Sequence, residues 1–219
     1  MDVDGNLTGI DIELASEAFS RMGYEPEFTI INWEEKKDLL HNGDIDCVWS
    51  SFTMDGREDE YRWAGPYMRS HQVVAVSVDS DIYTLQDLED KVMAVQSSTK
   101  PEDIIRSHDG TLPQLRKVIS VQKRDLLFAL LGKGYADALA AHDTSVEQFM
   151  AESGLEFRIL DQPLLTVGLG VAFDKDDTRG LNTKLDEVLK EMKADGTTRA
   201  VLSEYMSDPD RYLEGGDES

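Results

Sequence analysis

The chain has 219 residues, enough for one large domain or two of roughly 100 residues each. Its 44 acidic and 22 basic residues give a net charge of −22, a field that repels nucleic acid and anionic membrane surfaces alike. No stretch approaches the roughly 18 apolar residues needed to cross a bilayer, and Met1 is followed by Asp-Val-Asp-Gly rather than a basic and then apolar leader. Cys47 is the single cysteine, which excludes an internal disulfide and a cysteine-built metal site; beside Val48 and Trp49 it reads as a buried thiol.

Along the chain, helix and strand patterns alternate. Ile10, Leu14, Ala18 and Met22 recur every four residues before Gly23, the signature of a helix with a glycine stop. Phe28–Ile31 reads as a short strand. Asn32 caps a second predicted helix carrying Trp33, Leu39 and Leu40 and ending at Asn42-Gly43, and Cys47-Val48-Trp49 reads as a strand buried on both faces, as in a parallel sheet. Further strands are expected at Val73–Val78, Val92–Val95, Val118–Val121, Ala138–Ala141, Phe157–Leu160 and Leu169–Phe173. Thr99-Lys100-Pro101-Glu102 has the form of a capping box with proline in the first turn of a helix, and Leu126–Leu131 marks another helix. Leu181, Leu185, Val188, Leu189 and Met192 define a long amphipathic helix up to Gly196. A short helix follows through Val201, Leu202 and Tyr205, and from Ser207 the acidic tail is expected to fray. This alternation predicts α/β layering with mainly parallel sheets.

The chain also echoes itself. Lys37-Asp38-Leu39-Leu40 leads through Gly43-Asp44-Ile45-Asp46 into an apolar strand that turns polar at Ser50–Thr53. Arg124-Asp125-Leu126-Leu127 leads through Gly134-Tyr135-Ala136-Asp137 into one that turns polar at His142-Asp143-Thr144. Ligands in open α/β sheets bind beyond the carboxyl ends of strands, so two such halves would present two polar strand ends to a cleft. Gly-x-x-Asp is also a common helix-to-strand turn.

Several segments in order resemble the bacterial extracellular solute-binding proteins for polar amino acids. They are Gly9–Ala15; Asp46–Met54 with Arg57 and Trp63-Ala64-Gly65-Pro66-Tyr67; Leu85–Leu88 leading to Ala94–Thr99; Ala136-Asp137-Ala138 leading to Asp143; and Lys193–Thr197. The resemblance implies a type II periplasmic binding fold: two α/β lobes, each a mainly parallel sheet flanked by helices, joined by a hinge of two crossings. The first lobe is expected at 1–67 and 169–206, the second at 68–168, and a flexible acidic tail at 207–219. The pattern departs from that family in four places. The strand and aromatic-containing loop expected before Gly9 are not recognisable, Ser51 stands where a glycine is usual, the turn before Arg57 is one residue shorter, and the spacing from Asp137 to Asp143 is one longer.

A free amino acid presents a carboxylate and an ammonium, so its site needs a fixed cation and a fixed anion. Arg57 suits the carboxylate, because a guanidinium pairs with it in a bidentate plane, and the resemblance implies the same role; a surface arginine among Glu58, Asp59 and Glu60 is the alternative. Asp143 suits the ammonium, or else caps the helix beginning near Thr144, with His142 as a neighbouring candidate. Ser51 and Thr53 are candidates for first-lobe hydrogen bonds and Thr99 for donors at a helix start. Phe52 and Trp33 are candidate walls of a side-chain pocket, or core. Gln96 and Lys100 are candidates for contact with the ligand side chain.

No nucleophile elbow, phosphate loop, dinucleotide fingerprint or zinc-protease motif is present, and His41, His71, His108 and His142 lack metal-ligand spacing in sequence. No metal or other cofactor is expected. The expected activity is binding of a free α-amino acid by a monomer outside the cytoplasm, in the periplasm or at the cell surface, for delivery to an ABC-type uptake transporter. The alternatives are a sensing domain of a membrane receptor or kinase, and a dehydratase or lyase on the same scaffold.

Overall fold

A computed structural model describes residues 7–107, 110–206 and 208–213. The elements in chain order are α1 (Ile10–Arg21), α2 (Lys36–Asn42), β1 (Val48–Thr53), β2 (Arg62–Ser77), β3 (Val92–Gln96), α3 (Lys100–Ser107), β4 (Lys117–Val121), α4 (Arg124–Gly132), β5 (Ala138–His142), α5 (Asp143–Ser153), β6 (Phe157–Ile159), β7 (Leu165–Phe173), α6 (Leu181–Ala194), α7 (Thr197–Tyr205) and α8 (Asp210–Leu213). They form two compact units. The first combines Met1–Arg69 with Val167–Ser219, and the second is the continuous run Ser70–Thr166. The chain therefore passes between units twice, once within β2 and once within β7.

In the first unit, α1 buries Leu14, Ala15 and Ala18 and packs on β1, α6 and α7, whose own buried faces include Leu185, Leu189, Met192 and Leu202. The Asn32 side chain accepts the Glu34 N–H at 3.3 Å and caps a 3₁₀ turn at Trp33–Glu35 leading into α2. That helix ends at Gly43, whose φ of 76° lies in the left-handed region that glycine enters without strain. β1 pairs antiparallel with β7, with Val48 opposite Ala172, Phe52 opposite Gly170 and Thr53 opposite Leu169. The parallel partner expected for Cys47–Trp49 is thus replaced by an antiparallel one: an apolar run reports burial, which either direction of pairing satisfies.

Two other expectations are corrected in this unit. Phe28–Ile31 is not a strand; no strand pairs with it among the described residues, so it lacks a ladder, and Ile30 is 73% exposed. The tail also does not fray throughout. Arg199 makes a two-pronged pair with Asp210 at 2.8 and 2.9 Å, and α8 buries Tyr212. Ser207 and residues 214–219 of that tail lie outside the described residues.

Gly170 on β7 leaves no room for a side chain. A Cβ there would stand 2.5 Å from Met54 Sδ and 3.0 Å from the Ala64 carbonyl oxygen. Gly170→Ala is expected to destabilise the protein by about 1–3 kcal/mol, as overpacking does. Combining it with Met54→Ala is expected to recover only part of that, because the Ala64 backbone stays. Urea unfolding of the two variants measures both effects.

The second unit is a five-stranded mixed sheet in the order β6–β2–β5–β3–β4. The β3 pairs with β4 and β5 are parallel, and the β2 pairs with β5 and β6 are antiparallel. Strand alternation sends Val74, Val76, Met93 and Val95 into a core on one face, with Ile82, Leu85 and Leu88. Val73, Ala75 and Ala94 enter a second core on the other face, with Leu127, Phe128 and Val146. Phe128 and Phe149 stack there at 4.2 Å. β2 begins at Arg62 rather than at Val73, because Gly65-Pro66 reads locally as a break although the strand runs through it. The echoed Asp137 is a tie: its carboxylate accepts the Val92 N–H at 2.7 Å and its own N–H donates to the Val92 carbonyl at 2.9 Å.

Candidate functional site

Within the first unit, β1 carries Ser51, Phe52 and Thr53. Phe52 is 2% exposed and lies in the core, with the rings of Trp33, Tyr61 and Trp63 centred 4.9, 5.3 and 5.0 Å away. The Arg57 guanidinium carbon sits 5.7 Å from the centre of the same ring, a cation–π distance. Lys36, 7% exposed, places its ammonium 4.7 Å from the Trp33 ring centre and donates to the Trp33 carbonyl at 3.1 Å. Trp33, Phe52 and Arg57 are thus brought together around one aromatic cluster.

The backbone fixes Arg57. Its N–H donates to the Met54 carbonyl at 2.9 Å, and its own carbonyl accepts the Glu60 N–H at 3.0 Å and the Trp63 indole N–H at 3.1 Å. The residue as a whole is largely buried, at 9% exposure, unlike its exposed neighbours Glu58–Glu60. Thr53 is also buried.

Ser51 takes a φ of 48°, the left-handed conformation expected of a glycine at this position. A hydrogen bond from its hydroxyl to Asp11 Oδ2 at 3.1 Å offsets some of that strain, while Tyr67 donates to Asp11 Oδ1 at 2.6 Å. Burial, then the Asp11 charge, pushes the Tyr67 hydroxyl well above its ordinary pKa, so it stays protonated as a donor. Cys47 behaves likewise: burial first, then Asp46, pushes its thiol up to about 12, which fits an inert side chain rather than a nucleophile.

In the second unit, the carboxyl ends of the paired parallel strands β3 and β5 hold the other candidates, with Val95 opposite Ala140. Gln96 ends β3 and donates from Nε2 to the Gln122 carbonyl at 3.0 Å. The Thr99 hydroxyl donates to the Gln96 carbonyl at 2.6 Å, and Glu102 reaches back to the Ser98 N–H at 2.8 Å. The anticipated capping box is therefore replaced: Glu102 accepts from Ser98, one residue before the expected threonine, whose hydroxyl secures the strand end instead. Lys100 opens α3.

Asp143 is 1% exposed and sits in the first turn of α5, where the helix dipole favours an anion. Its Oδ1 accepts from the Ser70 hydroxyl at 3.0 Å, the His71 N–H at 3.3 Å and the Thr144 N–H at 2.9 Å, and its Oδ2 meets His71 Nδ1 at 2.9 Å. Burial alone would raise this carboxyl. The His71 ring, the Thr144 and His71 N–H groups and Ser70 outweigh it and hold the pKa below the ordinary 3.8, so Asp143 is an anion at neutral pH. His142, the residue before the helix, meets Ser70 Oγ at 2.8 Å through Nδ1 and Gln72 Nε2 at 2.9 Å through Nε2.

Sequence reasoning missed Ser70, His71 and Asp11 as partners of the candidates. Each lies 40 or more residues from the group it supports, and no local pattern announces such a pair.

Similarity to known proteins follows the same outline. The glutamate-binding protein GluB of Corynebacterium efficiens is 24% identical, over 97% of this chain and 76% of that protein. The histidine-binding periplasmic protein of Escherichia coli is 26% identical, over 92% of this chain and 80% of its own length. The crystal structure of Tv2483 bound to L-arginine superposes with a TM-score of 0.84 at 25% identity, covering 94% of this chain and 84% of that one. The family model for the bacterial extracellular solute-binding proteins, family 3, matches residues 1–208, and the chain belongs to that family.

Proposed function

We propose that this chain binds a free α-amino acid without transforming it, outside the cytoplasm, for delivery to an ABC-type uptake transporter. Arg57 takes the ligand carboxylate, and Asp143 takes the ammonium. Ser51, Thr53, Thr99 and Gln96 complete the hydrogen-bond shell, and the aromatic cluster of Phe52 and Trp33 backs the ligand side chain. The observation that carries this reading is a pair of largely buried residues of opposite charge: Arg57, whose backbone is fixed by its own turn, and Asp143, whose carboxylate is kept deprotonated by four donors. A guanidinium matches a carboxylate and a carboxylate matches an ammonium, so a zwitterion presents the complement of each.

A thermal-shift screen against the twenty amino acids, followed by calorimetry, tests the proposal. A ligand at one hundred times its Kd stabilises the folded chain by about 2.7 kcal/mol, and micromolar affinity corresponds to about −8 kcal/mol. At least one amino acid is expected to raise the melting temperature and to give a one-to-one isotherm. If none of the twenty does either, the reading fails. Recovery of the ligand chemically unchanged after prolonged incubation checks that the chain is a binder rather than an enzyme.

A further inference from the structure

We infer that the first unit carries a divalent-metal site built from His41, Asp174 and Asp176. His41 lies in the last turn of α2, and the two aspartates lie in the loop that leaves β7; residues 133 positions apart in sequence thus meet on one surface. One ligand atom from each falls within 4.8 Å of the other two, and His41 Nδ1 is 3.4 Å from Asp174 Oδ2. Tetrahedral coordination with bonds of about 2.0–2.2 Å places neighbouring ligand atoms about 3.3–3.6 Å apart. The His41–Asp174 edge already has that length, and only the exposed Asp176 side chain must draw in.

The loop orients the central ligand in advance. Asp174 Oδ1 accepts the Asp176 N–H at 2.8 Å, and the Asp174 carbonyl accepts the Asp177 N–H at 3.1 Å; the other carboxylate oxygen is left turned to the imidazole. The three residues share a groove of about 490 Å³ whose lining adds Asp38, Asp59 and Glu60. Lys37, also in the lining, is paired with Glu60 at 3.2 Å, and Arg179, later in the loop, with Asp177 and Asp46. Lys175 also lines the groove.

One imidazole nitrogen and two carboxylate oxygens suit zinc or a neighbouring borderline metal, with a fourth position for water. Calcium and magnesium prefer oxygen-only shells. The site lies wholly in the first unit and does not depend on amino-acid binding.

The test is calorimetric titration of the full chain with zinc chloride in a non-chelating buffer at pH 7.5, repeated with calcium and magnesium. One zinc ion per chain is expected, with no comparable heat from the other two. His41→Ala and Asp174→Asn are each expected to weaken zinc at least tenfold. The imidazole is 70% exposed, and the asparagine keeps the Oδ1 acceptor of the turn, so both variants should fold; circular dichroism checks this. An isotherm unchanged in His41→Ala, or no zinc binding by the parent chain, overturns the site.

Discussion

Arg57→Ala is expected to lower amino-acid affinity at least a hundredfold, about 2.7 kcal/mol, while the far-ultraviolet circular dichroism stays that of the parent. Two charge-assisted bonds to a carboxylate contribute roughly 1.5–3 kcal/mol each, and alanine removes both. The fold should persist because the bonds that hold this turn, to Met54, Glu60 and Trp63, use the backbone of residue 57 and survive the substitution. Arg57→Lys is expected to recover only part of the loss, since an ammonium is a point charge without the planar fork. Calorimetry of the three proteins with one ligand decides it. Equal affinities would remove Arg57 from the site.

Asp143→Ala is expected to act on stability as well as binding, lowering the unfolding free energy by about 3–5 kcal/mol. The substitution removes the anion on which the Ser70 hydroxyl, the His71 ring and two backbone N–H groups converge. The same group sets a pH dependence. Its folded pKa lies below 3.8, so its contribution is fully present above the ordinary carboxylate value and is lost as the pH falls through the lower folded one. As the pH falls below 3.8, the parent should therefore lose stability more steeply than Asp143→Asn. Urea titrations at several pH values measure the slope, and parallel curves would contradict the assignment.

What the sequence makes legible is whatever its physics writes locally. The i, i+4 pattern from Ile10, the glycine stop at residue 43 and the apolar runs of β3, β5 and β7 all appear where their spacing predicts. The direction of pairing is not local, so β1 was misassigned to a parallel ladder. Partner availability is not local either, and Phe28–Ile31 has strand composition without a strand beside it among the described residues. For the candidate site, residue types pointed to Arg57 and Asp143, whereas the groups that tune them did not announce themselves. Ser70 and His71 reach Asp143 across more than seventy residues, through the register of β2 on β5. The His41–Asp174–Asp176 cluster escapes motif reading for the same reason: its ligands come from the two ends of a discontinuous unit.

That discontinuity imposes an order of events during synthesis. Residues 70–166 form one uninterrupted run and can fold as soon as they clear the ribosome. The other unit must wait, because the ladder partner of β1 among the described residues is β7, more than a hundred residues later, and α1 packs on α6 and α7. Until those arrive, the apolar faces of α1 and β1 stay uncovered on the nascent chain. Aggregation of truncated products, and any demand for chaperones, should therefore track the N-terminal segment rather than the middle one.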